Sequence, residues 1–196
     1  AEDAVRMSIR AQLSSEAPFF ELGCAYQRQG DLVNSIKCLR QAVQMGSSFG
    51  TDKSVAMARL YLGASFLQDN QMGEAVKHLT FCVEKLPRHV DALYLLATAH
   101  RLTADAWRTR NPSLDDEKQI SSCVNMAVSW YKRLILLHPD HAEGHFWLAA
   151  LLSGRGKQTG DADDDNAVAE GMAVRAAELA AAAEAAAADA AAAAAE

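Results

Sequence analysis

The 196-residue chain is 50% hydrophobic and 22% charged, with a formal net charge of -6, which fits one domain or one domain plus a tail. The excess charge is confined: residues 1–154 hold 16 basic and 16 acidic side chains, whereas 155–196 hold 3 basic and 9 acidic. A neutral body without a Lys/Arg cluster lacks the footprint of a nucleic-acid binder, and an alanine tract broken by Glu178, Glu184 and Asp189 is too weakly apolar for a membrane span.

Residues 2–13 carry Ala4/Val5, Ile9 and Leu13 at helical spacing and end at Ser14-Ser15, which predicts a capping helix or the second helix of a truncated preceding repeat over 1–15. A helix over 17–29 follows, closed by Gly30-Asp31, because glycine supplies the left-handed residue that ends a helix. The next, over 32–45, places Ile36, Leu39 and Val43 on one side and is expected to stop at Gly46, leaving 46–52 as a loop. Thr51 or Asp52 is a natural N-cap for the helix after it. Met72, Ala75, Val76, Leu79, Cys82 and Val83 then run at helical spacing to Leu86-Pro87.

Leu22-Gly23-x-x-Tyr26-x-x-x-Gly30-Asp31 returns as Leu62-Gly63-x-x-Phe66-x-x-x-Asn70-Gln71, and matching small or apolar residues follow each copy. Leu93, Leu96, Ala97 and His100 open a third copy, whose second half is Val124, Ala127, Tyr131, Leu134 and Pro139. The 18 residues between, Asp105 to Ser122, read as helix on both sides of Asn111-Pro112, with Ser113-x-x-Asp116 as a capping box. Two lengthened helices are therefore predicted, over 91–110 and 114–137, projecting as a hairpin. A fourth first helix over 141–153 carries His145, Leu148, Ala149 and Leu152, with a turn at Gly154–Gly156. Segment 155–165 is polar and acidic and reads as a linker. Alanine supplies 19 of residues 167–196, predicting a helical tail over 166–196, N-capped by Asp165 or Asn166. Past Leu179 that helix has no large side chain to bury.

On these motifs the chain resembles the tetratricopeptide-repeat family, with repeats of roughly 34 residues. The resemblance covers 16–154: repeats at 16–49, 53–88 and 90–139 with the insert 105–122, and a partial one at 141–154. It implies an all-α solenoid of antiparallel helix pairs, a right-handed superhelix whose concave face receives a peptide or helix of another protein. Each repeat buries its apolar stripe only against neighbours, so stacking leaves an extended surface. The family's carboxylate clamp for chaperone tails needs cations on first helices. The mapped positions hold Phe20, Cys24, Tyr61, Asp91 and Leu95, which argues against that ligand.

The same mapping places Phe20, Cys24, Gln27, Leu60, Ala64, Tyr94, Thr98, Arg101, Phe146 and Ala150 on one face. Such a groove suits an amphipathic helix or an apolar extended segment, although packing against a neighbouring helix explains any single member equally well. On the insert, Trp107 beside Arg108 and Arg110 has the composition of an interaction hot spot; packing of Trp107 against the return helix is the plainer alternative.

Other constellations carry less. His138, His141 and His145 lie about one interrepeat turn without a completing Cys, Asp or Glu, so no metal is expected. His100 stands where a tyrosine usually packs in the repeat, and reads as a core residue. Asp115-Asp116-Glu117 opens a helix, where acids complement the dipole. Cys24, Cys38, Cys82 and Cys123 lack CxxC spacing and read as reduced thiols in an intracellular, cytoplasmic setting.

No nucleophile–base order, phosphate loop or cofactor motif is visible. The expected role is a non-catalytic scaffold for complex assembly, without cofactor, nucleic acid or membrane. A rival reading is the docking module of a larger enzyme such as a transferase, motivated by the missing start methionine and the incomplete fourth repeat. Self-association through the alanine-rich tail is a third.

Overall fold

A computed structural model describes residues 17–49, 51–110, 113–159 and 162–193. Among these there are eight α-helices and no strand. They are α1 (Ala17–Arg28), α2 (Leu32–Phe49), α3 (Asp52–Gln68), α4 (Met72–Lys85), α5 (Val90–Arg108), α6 (Leu114–Leu137), α7 (Ala142–Thr159) and α8 (Ala162–Ala193). The helix expected over 2–13 and the turn at Asn111-Pro112 lie outside the described residues. The chain divides into two compact units, residues 1–103 and 104–196.

In the first unit the two repeats share one local design. Gly30 has φ 79° and Asn70 φ 57°, each a left-handed residue ending a first helix. After α1 the Gly30 and Asp31 amides donate to Gln27 and Tyr26 carbonyls; after α3 the Asn70 and Gln71 amides donate to Leu67 and Phe66. This paired closure consumes carbonyls the helix end would otherwise leave bare. Both turns send the chain back antiparallel, so that α2 packs on α1 and α4 on α3, while α2 also packs on α3.

The packing repeats as well. A Cβ on Gly23 would stand 2.6 Å from Leu39 Cγ, and one on Gly63 2.7 Å from Leu79 Cγ. Each glycine thus admits a leucine into the helix pair, and Leu39 and Leu79 are wholly buried. Burying each leucine stabilises the fold by about 1.5–3 kcal/mol. Ser35 Oγ donates to the Gly23 carbonyl at 3.0 Å. Its one proton being so used, Ser65 Oγ donates to it across the α2–α3 boundary at 3.1 Å. Buried hydroxyls are therefore paired, as the low-dielectric interior requires.

In the second unit Ser113 and Asp116 form the expected capping box at the start of α6. That helix buries Ile120, Val124, Ala127, Tyr131 and Leu134, and then α7 packs against it and α8 against α7. Leu134 Cδ2 reaches to 3.1 Å of where a Cβ on Gly144 would stand. From α7, His145, Leu148, Ala149 and Leu152 are buried, and from α8, Ala169 and Ala176.

Three boundaries differ from the sequence reading. Helix α2 runs through Gly46 to Phe49, so the extra residues before α3 lengthen a helix rather than a loop. Helix α7 continues through Gly154–Gly156 to Thr159. A glycine inside a helix costs only about 1 kcal/mol relative to alanine, and the buried Ala42–Val43 and Leu151–Leu152 just before these glycines hold the helices in place. The expected linker at 155–165 is correspondingly mostly helical: α8 already begins at Ala162, so Asp165 and Asn166 lie inside it rather than capping it.

Candidate protein-binding face

The first helices of the first unit carry the candidate surface. Helix α1 and helix α3 touch, and the Phe20 and Tyr61 rings meet edge to face across them, with centroids 5.2 Å apart at 86°. Both side chains are half-buried. Such a pair contributes about 0.5–1.5 kcal/mol beyond its buried area. It fixes two aromatic surfaces while leaving part of each open.

The other predicted residues divide by burial. Gln27, Ala64, Tyr94, Thr98 and Arg101 are half-buried and retain surface. Cys24 and Leu60 retain 7% and 5% of theirs, so both serve the core more than an open face. They lie one helical turn from Phe20 and Ala64 respectively, close enough in register for sequence spacing to merge the two roles. Tyr61, mapped only to a lost clamp position, is the residue that spacing passed over; an aromatic one position beyond the mapped leucine was its only signal.

Phe146 belongs to the second unit, on α7. It is 54% exposed and meets Trp147 edge to face at 5.1 Å. Trp107 is half-buried beneath the Arg110 guanidinium, 5.6 Å above its ring, while Arg108 pairs with Asp105 at 3.1 Å. Stacking and an exposed ion pair hold both arginines locally, at little gain in stability.

The thiols have no activated partner. Burial pushes Cys24 up, with Glu21 adding and Arg28 opposing. Cys82 is pushed up to about 12 by burial, against the opposing Arg59 charge, and its thiol donates to the Ala56 carbonyl at 3.0 Å. Thiols raised this way are protonated and unreactive. All four cysteines are free.

The histidines of the interrepeat turn are engaged in structure. His141 Nδ1 accepts from the Gly144 amide at 3.0 Å. Buried His145 bonds the Pro139 carbonyl through Nε2 at 2.8 Å and faces Met172 Sδ through Nδ1 at 3.1 Å. Among the described residues no group of three or more His, Cys, Asp or Glu is placed to hold a metal ion. No described helix is long and apolar enough to cross a membrane.

No family model matches the chain, and no curated protein matches it. Solved structures do. MamA from Desulfovibrio magneticus is 19% identical with a TM-score of 0.62, covering 87% of this chain and 78% of its own. The human IFIT1 dimer with m7Gppp-AAAA is 12% identical with a TM-score of 0.62, covering 82% of this chain and 34% of its own. TTC0263, a thermophilic TPR protein of Thermus thermophilus, is 16% identical with a TM-score of 0.56, covering 84% of this chain and 81% of its own. With the doubled Leu-Gly-x-x-aromatic motif and the glycine–leucine contacts it builds, these likenesses give the chain the fold of a tetratricopeptide-repeat α-solenoid.

Proposed function

We propose that the chain is a non-catalytic scaffold that binds a peptide or amphipathic helix of another protein on the first-helix face of its first unit. The Phe20–Tyr61 pair carries this reading: two ordered, half-open aromatic rings on adjacent first helices form a ready apolar anchor. Preorganised aromatics lose little freedom on binding, so more of the contact energy appears as affinity. Gln27, Ala64, Tyr94, Thr98 and Arg101 extend the face, with Arg101 as a donor to the partner's backbone. Trp107 with Arg110 and Phe146 with Trp147 are further contact candidates in the second unit. The IFIT1 structure holds a capped oligonucleotide, but the aromatic and apolar lining of this face favours a protein segment here.

The test is affinity capture with the intact chain and with Phe20→Ala and Tyr94→Ala. Folded variants should lose captured protein at least about tenfold, the cost of a truncated aromatic hot spot. Undiminished capture by both would refute the face.

A further inference from the structure

Away from the residues of the proposed binding face, helices α2, α3 and α4 assemble cations and aromatic rings that sequence spacing keeps far apart. Arg40 lies 5.2 Å above the Phe66 ring, and Phe66 stacks on the His78 ring at 5.5 Å and 14°. Arg59 lies 4.1 Å above the Phe81 ring. Among the described residues neither Arg40 nor Arg59 has a carboxylate within ion-pair distance, although nearby Lys77 is paired with Glu74 at 2.7 Å. Arg59 Nε and His78 Nδ1 are buried and lack a hydrogen-bond partner among the described residues.

These features are costly if they only serve packing. The half-buried Arg59 guanidinium has lost solvation with only the Phe81 ring in return, while exposed Arg40 has Glu74 in its field but no paired carboxylate, and a buried polar nitrogen without a partner calls for an explanation. Stacking on an aromatic ring holds a guanidinium by its face and leaves its N–H edge free, the edge that grips an oxyanion by two parallel hydrogen bonds. We propose that Arg40 on α2 and Arg59 on α3, with His78 on α4, form a second binding site, one that takes a phosphate monoester dianion. The two forks supply charge and direction, and His78 supplies a further donor once protonated.

Electrostatics around His78 agree. Burial holds its pKa below 6.5, Arg59 adds to this, Glu74 opposes it, and Arg40 and Lys77 add further. A dianion at the site reverses the field on the ring, so binding takes up a proton and His78 titrates at higher pH when the site is filled.

The experiment follows the His78 imidazole by NMR in the full chain, against inorganic phosphate, a Gly-Gly-phosphoserine-Gly-Gly peptide, its unphosphorylated form, and single-stranded oligo(A). The expected result is a raised His78 midpoint with both phosphate probes and none with the serine peptide, lost at least about tenfold in Arg40→Gln and Arg59→Gln. Equal affinity for the two phosphate probes assigns the site to the free anion, and at least about tenfold tighter peptide binding assigns it to a phosphorylated protein segment; either supports the phosphate site. Arg40 is exposed, so its variant tests the site without disturbing the fold. An unmoved His78, wild-type binding by Arg40→Gln, or an equal response to oligo(A) overturns the proposal. None of these outcomes depends on Phe20 or Tyr61, so the site stands or falls apart from the first-helix face.

Discussion

At Gly63 the whole repeat design is held by the absence of one carbon. A Cβ there would press to 2.7 Å of Leu79 Cγ, a branched centre rather than a flexible tip. Gly63→Ala should therefore lower unfolding free energy by about 1–3 kcal/mol despite alanine's better helix propensity. Gly73, with nothing within 4 Å of its added Cβ, provides the control: Gly73→Ala in α4 should gain about 0.5–1 kcal/mol. Urea denaturation of both variants checks the pair, and a common sign for the two would count against the packing account.

Histidine gives a second prediction at this scale. Burial lowers the pKa of both His78 and His100 below 6.5. Above pH 6.5 both are neutral whether the chain is folded or not, and their contribution to stability is complete. As pH falls from 6.5 towards the folded values the unfolded chain takes up protons first, so stability drops. Denaturation midpoints should thus fall as pH drops below 6.5, with a shallower slope in His78→Gln and His100→Gln; an unchanged slope in both would contradict the buried-imidazole reading.

Among elements, α8 is divided in function along its length. Ala169 and Ala176 are buried, Met172 faces His145, and Leu179 is half-buried, whereas residues 180–188 are exposed. Removing 180–196 should shift the melting temperature by less than about 2 °C, since a change of 1 kcal/mol moves it by only a few degrees, while removing 162–196 should destabilise the second unit outright. Calorimetry on both truncations decides, and an equal loss from each would show that the terminal alanines carry packing.

Element types were legible because period and punctuation coincide. Large and small residues at helical spacing, followed by Gly30 or Asn70, specify helix, turn and return. The capping box at Ser113 and Asp116 marked the start of α6 for the same reason. Boundaries failed where local punctuation conflicts with packing: Gly46 and Gly154 read as stops, yet buried residues just before them carry both helices onward. The segment 155–165 read as linker because charge density in sequence does not tell a solvated coil from a helix, and α8 already begins at Ala162.

For the molecule as a whole, spacing placed the residues of the proposed face on first helices but could not sort half-buried Phe20 from buried Leu60, since exposure depends on which neighbour covers each position. It gave no sign of the proposed Arg40–Arg59–His78 site, whose members are scattered over three helices. Neutral net charge over residues 1–154 concealed that local excess, since opposite charges elsewhere cancel it in the sum but not in space.

The scaffold reading rests on the open edge of the Phe20–Tyr61 pair, and site-specific photocrosslinking tests it most directly. A benzophenone side chain placed at 61 in the intact chain, with one at exposed Val33 as reference, is irradiated in cell extract and the adducts are compared. The account predicts discrete protein adducts at 61 that are absent at 33 and suppressed by Phe20→Ala. Equal labelling at the two positions, or adducts at 61 indifferent to Phe20, would contradict it.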